Sequence, residues 1–204
     1  MSLPPPKSVV TASAETFPAE FFPEERKVLL RLAHDSILSS LEKREIPLDP
    51  PTPHLAEPRG VFTSLYLHGQ LRGCVGYVLA VAPVYRTVAE TARAAAFDDH
   101  RFSPVTLFEA RDLQIELSIL SVPAPIDPAA IEVGRHGLLI AMAGRRGLLL
   151  PQVPAERNWD RITFLQQTCH KAGLPADAWQ QGATIEAFTA EVFGEKFPTH
   201  PGKP

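Results

Sequence analysis

Cysteine is scarce in this sequence: Cys74 and Cys169 are the only two among 204 residues. Two thiols cannot build a disulfide framework or, unaided, a cysteine-rich zinc site. Such scarcity suits a reducing compartment, so a cytoplasmic location is expected. Long apolar runs are missing too. No stretch approaches the ~20 residues that a membrane-spanning helix needs. The opening Met1-Ser2-Leu3-Pro4-Pro5-Pro6-Lys7 has no apolar signal-peptide core, and no membrane partner is expected. Nor is there an excess of charge, since the formal net charge is -3. That balance argues against bulk nucleic-acid affinity and leaves RNA as a ligand only through a local basic patch. The phosphate- and nucleotide-binding glycine motifs, HExxH and GxSxG are all absent. The seven histidines form no ligand-spaced pair, so no metal centre is expected, and no cofactor can be named.

What remains is an ordinary globular composition, 45% hydrophobic and 21% charged, enough for one substantial core or two small ones. Residues 1–20 and 196–204 read as flexible tails around a domain spanning 21–195. A first helix is expected from Pro23, with Glu24 and Glu25 in its first turn and Val28, Leu29, Leu32, Ala33, Ile37, Leu38 and Leu41 at helical spacing. It ends before Pro47. A proline-rich loop (47–59) then leads into two apolar runs, Gly60–Leu67 and Leu71–Tyr77, joined by His68-Gly69-Gln70 as a β-hairpin. A second, alanine-rich helix follows from Pro83. Residues 113–122 alternate as a strand with Leu113, Ile115, Leu117 and Ile119 inward, leaving Glu116 and Ser118 on the opposite face. Asp127-Pro128 opens a short helical turn. Leu138–Ala143 and Gly147–Leu150 form a second hairpin around Gly144-Arg145-Arg146. A helix over Trp159–Ala172 ends at Gly173, and a last strand runs from Thr184 to Phe193. Hairpin, helix and strand thus occur twice. Antiparallel hairpins flanked by helices indicate an α+β fold.

Two stretches draw attention. In Leu71-Arg72-Gly73-Cys74-Val75-Gly76, alternation along a strand places Arg72 and Cys74 on one face. Gly73 and Gly76 leave bare backbone beside them, as close approach by another group requires. The second stretch, Phe97-Asp98-Asp99-His100-Arg101-Phe102-Ser103-Pro104, is a dense polar and aromatic loop. Its bland reading is a helix stop with solvated charges.

Together these segments resemble the AMMECR domain family, named from the human AMME chromosomal region. Residues 71–76 resemble its LRGC(I/V)G signature and 96–104 its AF-x-D-x-RF-x-P segment. Residues 113–120 resemble its strand ending in E(I/L)S(I/V)L, Gly147–Val153 its GLLLPQV, and Phe164–Leu174 its FL…TC-x-KAGL. The resemblance covers about residues 20–195. Prokaryotic members are called AmmeMemoRadiSam system protein A. It implies a two-lobed domain with a cleft between the lobes, and genomic association with a Memo-like protein and a radical SAM enzyme. It implies no defined reaction, although RNA modification has been suggested for the family. One departure is Asp99, where members commonly carry proline; it is expected to loosen the loop without abolishing a site.

Cys74 is the candidate catalytic residue, since a nearby cation stabilises a thiolate, the nucleophilic form. Its bland reading is a small buried hydrophobe. Cys169, at helical spacing with Leu165 and Ala172, reads as core. Arg72, Gly73, Gly76, Asp98, Arg101 and Glu116 are the candidate ligand-binding residues, with Glu116 a potential partner of Arg72. His100, His170 and Lys171 are further polar groups within reach of a cleft. No complete triad is visible. A component that binds a small polar or anionic ligand, or a partner, in a Memo- and radical SAM-associated modification pathway is therefore favoured. The alternative is an enzyme of RNA or protein modification using Cys74 as nucleophile or carrier.

Overall fold

A computed structural model of the chain describes residues 19–195; the two expected tails therefore lie almost wholly outside the described residues. The element order is α1 (Pro23–Glu42), β1 (Gly60–Leu67), β2 (Gln70–Tyr77), α2 (Val84–Phe97), α3 (Leu107–Ala110), β3 (Gln114–Leu120), β4 (Ala124–Pro125), β5 (Gly137–Met142), β6 (Arg145–Leu149), α4 (Gln152–Glu156), α5 (Arg161–Lys171), β7 (Thr184–Phe188) and β8 (Ala190–Gly194). The strands form two antiparallel four-stranded sheets, ordered β2-β1-β3-β8 and β4-β7-β5-β6. The fold is α+β.

Each sheet buries one face under helix. Helix α1 starts on Pro23, and the Glu25 carboxylate accepts from the Phe22 amide at 3.1 Å, satisfying a donor that the first turn leaves free. Its Leu29, Ala33 and Ile37 join Val84, Val88, Ala92 and Ala95 of α2 over Val61, Leu65, Ile115, Leu117 and Ile119 of the first sheet. The small side chains of α2 let its backbone lie close on β2. A Cβ at Gly73 would stand 2.1 Å from the Ala95 carbonyl oxygen, so that glycine is required by the chain's own helix. In the second sheet Leu138 and Ile140 pack on Phe164, Leu165 and Cys169 of α5 in a separate core. The Asp160 carboxylate accepts from the Thr163 amide to open α5, and Gly173, at φ +69°, closes it.

Both hairpins turn in two left-handed residues, His68-Gly69 and Ala143-Gly144, the geometry that matches strand twist. Gln70 and Arg145–Arg146, read from the sequence as connections, therefore belong to strands. The expected last strand is two strands. β7 pairs with β5 and β4, and β8 pairs with β3 in the other sheet. The chain crosses between sheets at Thr189, whose backbone bonds Ser121 in both directions: Ser121 N–H donates to Thr189 O at 2.9 Å, and Thr189 N–H donates to Ser121 Oγ at 3.0 Å. Residues 114–125 and 184–194 thus form one bent antiparallel ribbon running through both sheets.

Candidate functional site

Because helices cover one face of the first sheet, alternation leaves Phe62, Ser64, Tyr66, Cys74, Glu116 and Ser118 on the other; all six are half-buried. Register aligns them. Cys74 pairs with Ser64, Ser64 with Glu116, and Glu116 with Gly194, one row across all four strands. The Ser64 hydroxyl donates to the Cys74 sulfur at 3.3 Å. Tyr66, two residues along β1, lies within reach of Ser64 and Glu116; burial, then the Glu116 carboxylate and Cys74, push its phenol above the ordinary value. Tyr66 thus keeps its proton at neutral pH. Sequence reasoning missed Ser64 and Tyr66. The signal was their even spacing on β1 opposite Cys74.

Arg72 goes elsewhere. The β1–β2 register shifts between Leu65 and Tyr66, leaving Arg72 as an extra, unpaired residue. Such a bulge breaks simple alternation and re-aims the side chain. Arg72 Nε and Nη2 reach Glu109 at 3.0 and 3.3 Å, and the guanidinium also donates to the carbonyls of Ser103 and Pro104. The expected Arg72–Glu116 pairing is replaced by Arg72–Glu109. Glu109 is held down to about 2 by that guanidinium and by the Thr106 amide.

The cation beside Cys74 is Arg101. β2 is an edge strand, and the Cys74 N–H, pointing outward, donates to Asp99 Oδ2 at 2.8 Å; Arg101 Nη2 donates to the Cys74 carbonyl at 3.3 Å. Asp99 and Arg101 bind each other at 2.7 Å. The pair thus stands in for a neighbouring strand and blocks the edge from further pairing. Arg101 and the Cys74 amide hold the Asp99 carboxyl well below the usual range, and Asp99 in turn raises Arg101. Far from loosening the loop, Asp99 fastens it to β2. Asp98 is exposed and caps α2, with Tyr77 as its neighbour; it does not join the row. Gly76 lies against the Phe62 ring, 2.3 Å from a built Cβ. His100, His170 and Lys171 are exposed.

The thiol's hydrogen-bond partner is a hydroxyl, not a base. Glu116 lies one strand beyond Ser64, about 10 Å from Cys74 at the backbone, whereas a nucleophile and its base need contact near ~3 Å. The row is a hydrogen-bonding surface. Among the described residues no three His, Cys, Asp or Glu side chains gather to hold a metal ion, and no helix is long and apolar enough to cross a membrane.

Residues 30–193 match the model of the AMMECR1 family. The chain belongs to that family. It is 42% identical over 190 residues to Protein MK0488 of Methanopyrus kandleri, covering 87% of this chain and 92% of that one. A second relative, Protein PF1979 of Pyrococcus furiosus, is also 42% identical, covering 86% and 90%. The crystal structure of PH0010 from Pyrococcus horikoshii superposes with a TM-score of 0.67 at 39% identity, over 85% of this chain and 93% of that one.

Thiol accessibility gives a first expected result. Cys74 is half-buried, whereas Cys169 is fully buried and burial pushes its thiol up. Iodoacetamide should label one site per native chain, with Cys169 at least about tenfold slower until the protein is unfolded. Mass spectrometry of digests locates the label, and native labelling of Cys169 would show that the second core is open.

Proposed function

We propose that this chain is a cytoplasmic ligand-binding component of a modification pathway served by a Memo-like protein and a radical SAM enzyme, and that it holds a small polar molecule on the face carrying Cys74, Ser64, Tyr66 and Glu116. Family membership supports the pathway, through the association that the sequence resemblance implies. The cross-strand row Cys74–Ser64–Glu116 supports the site. Arg72 has spent its donors on Glu109, Ser103 and Pro104, and Arg101 is bound to Asp99 and the Cys74 carbonyl. An arriving molecule therefore meets a carboxylate, two hydroxyls and a thiol. That favours a ligand with hydrogen-bond donors over an anion. The absence of a base at the thiol favours binding over turnover.

The test is retention from a small-molecule and RNA extract of the source cells, followed by mass spectrometry of what is released on denaturation. Wild type and the surface control Lys27→Ala should retain one compound. Cys74→Ala and Glu116→Gln should lose it by about tenfold or more. Equal retention by all four proteins sinks the reading. Consumption of the compound by wild type, but not by a Cys74→Ala protein that still binds it, would make the chain an enzyme with Cys74 as nucleophile.

A further inference from the structure

We propose that the second sheet carries a binding groove for a dipeptide-sized zwitterion with an apolar body. This inference is independent of the Cys74 face, and none of the groove's lining belongs to the Cys74 row. The face of the second sheet away from α5 borders a depression of about 580 Å³ between that sheet and the turn after β2. Such a volume is ordinary for a small-molecule site. Register builds it: Leu139 pairs with Glu186, and Ala141 with Arg146. Leu138 and Ile140 are fully buried toward α5, and a Cβ at Gly147 would strike the α5 terminus. Alternation therefore turns Leu139, Ala141, Arg146 and Glu186 to the groove. Leu139 and Ala141 form an apolar floor, with Leu79 and Pro125 as walls.

The charges make the groove more than an apolar dent. Glu186 is half-buried and Arg146 exposed, and among the described residues neither side chain has a hydrogen-bond or ion-pair partner. They stand on the strands flanking β5, about 10 Å apart at the backbone and offset along it. Both residues line the depression. An ammonium at Glu186 and a carboxylate at Arg146, joined by an apolar body over Leu139 and Ala141, would satisfy both charges at once. A guanidinium grips a carboxylate with two parallel hydrogen bonds.

L-leucyl-L-leucine is the probe, titrated by calorimetry or ligand-observed NMR against full-length protein. Wild type should bind it saturably. Glu186→Gln and Arg146→Gln should each weaken binding about tenfold or more while melting like wild type. N-acetyl-leucyl-leucine, which lacks the ammonium, should bind wild type weakly and be indifferent to Glu186→Gln. The dipeptide amide, which lacks the carboxylate, should be indifferent to Arg146→Gln. Glycylglycine, with no apolar body, should not bind, and Cys74→Ala should change nothing. The proposal is overturned if the dipeptide shows no saturable binding, if both blocked forms bind wild type as well as the free one, or if Cys74→Ala abolishes binding.

Discussion

Gly147→Ala is expected to destabilise the chain by about 3 kcal/mol, and Gly144→Ala, three residues earlier, by about 1 kcal/mol. The two glycines are needed for different reasons. A Cβ at Gly147 would lie 2.2 Å from the Ala172 nitrogen and 2.6 Å from its Cα. Those are backbone atoms at the end of α5, which cannot swing aside as a side chain would. Either the helix lifts from β6 or the strand bends, and both open the core of Leu138, Ile140, Phe164 and Leu165. At Gly144 the space is empty, and only the left-handed backbone, φ +77°, resists a side chain. Urea unfolding of both variants beside wild type measures the difference. Equal midpoints would mean that α5 does not rest on β6.

Arg72→Gln is expected to cost about 2 kcal/mol at pH 7, and much less below pH 3. Arg72 and Glu109 are only 15% and 24% exposed at their side chains, so solvent screens the pair weakly. The same guanidinium satisfies the carbonyls of Ser103 and Pro104. Glu109 sits at about 2 in the folded chain against an ordinary 4.5. A lowered carboxylate contributes stability above its unfolded value and loses it as pH falls through the folded one. This contribution is therefore whole above about pH 4.5 and gone near pH 2. Asp99, lowered from 3.8 by Arg101, adds in the same direction. The variant should show a flatter acid limb than wild type over that window, with the Asp99 part remaining. Parallel unfolding curves at pH 7 and pH 3 decide it; an undiminished gap at pH 3 would mean that the loss came from packing alone.

Much of this architecture was legible in the chain. Helical spacing from Val28 to Leu41, alternation from Leu113 to Ile119 and the glycine turns placed α1, β3 and both hairpins, because each signal is local. The site was only half legible for the same reason. Arg72 and Cys74 are two apart, and alternation alone puts them together; the bulge that separates them is a property of the pairing with Leu65 and Tyr66, which one strand's sequence does not contain. Glu116 is legible as a candidate because it breaks an apolar strand. Ser64 and Tyr66 passed unnoticed because a hydroxyl on a half-exposed face is unremarkable until register sets it beside a thiol. Asp99 and Asp98 are adjacent acids with no local feature to separate them. Only the position of β2 makes one a clamp and leaves the other in solvent. The sheet change at Thr189 was invisible too, since Thr184–Phe193 carries strand-forming residues throughout.

That crossing also says what kind of object the second half is. Leu120 and Ala190 sit opposite each other in the first sheet, and the residues next to them are joined by two hydrogen bonds, Ser121 N–H to the Thr189 carbonyl and Thr189 N–H to Ser121 Oγ. Everything between is, topologically, a single loop that leaves the first sheet and returns to the spot it left. Insertions are tolerated where a chain's exit and re-entry points already touch, and this one brings its own core, Leu138 with Phe164 and Leu165. The second half can therefore vary its groove, its turns and its outer face as an appendage does. The Cys74 row meets that appendage at its far end, through Glu116 and Gly194 on the two strands that continue outward, and near β2 through Leu79, a wall of the groove.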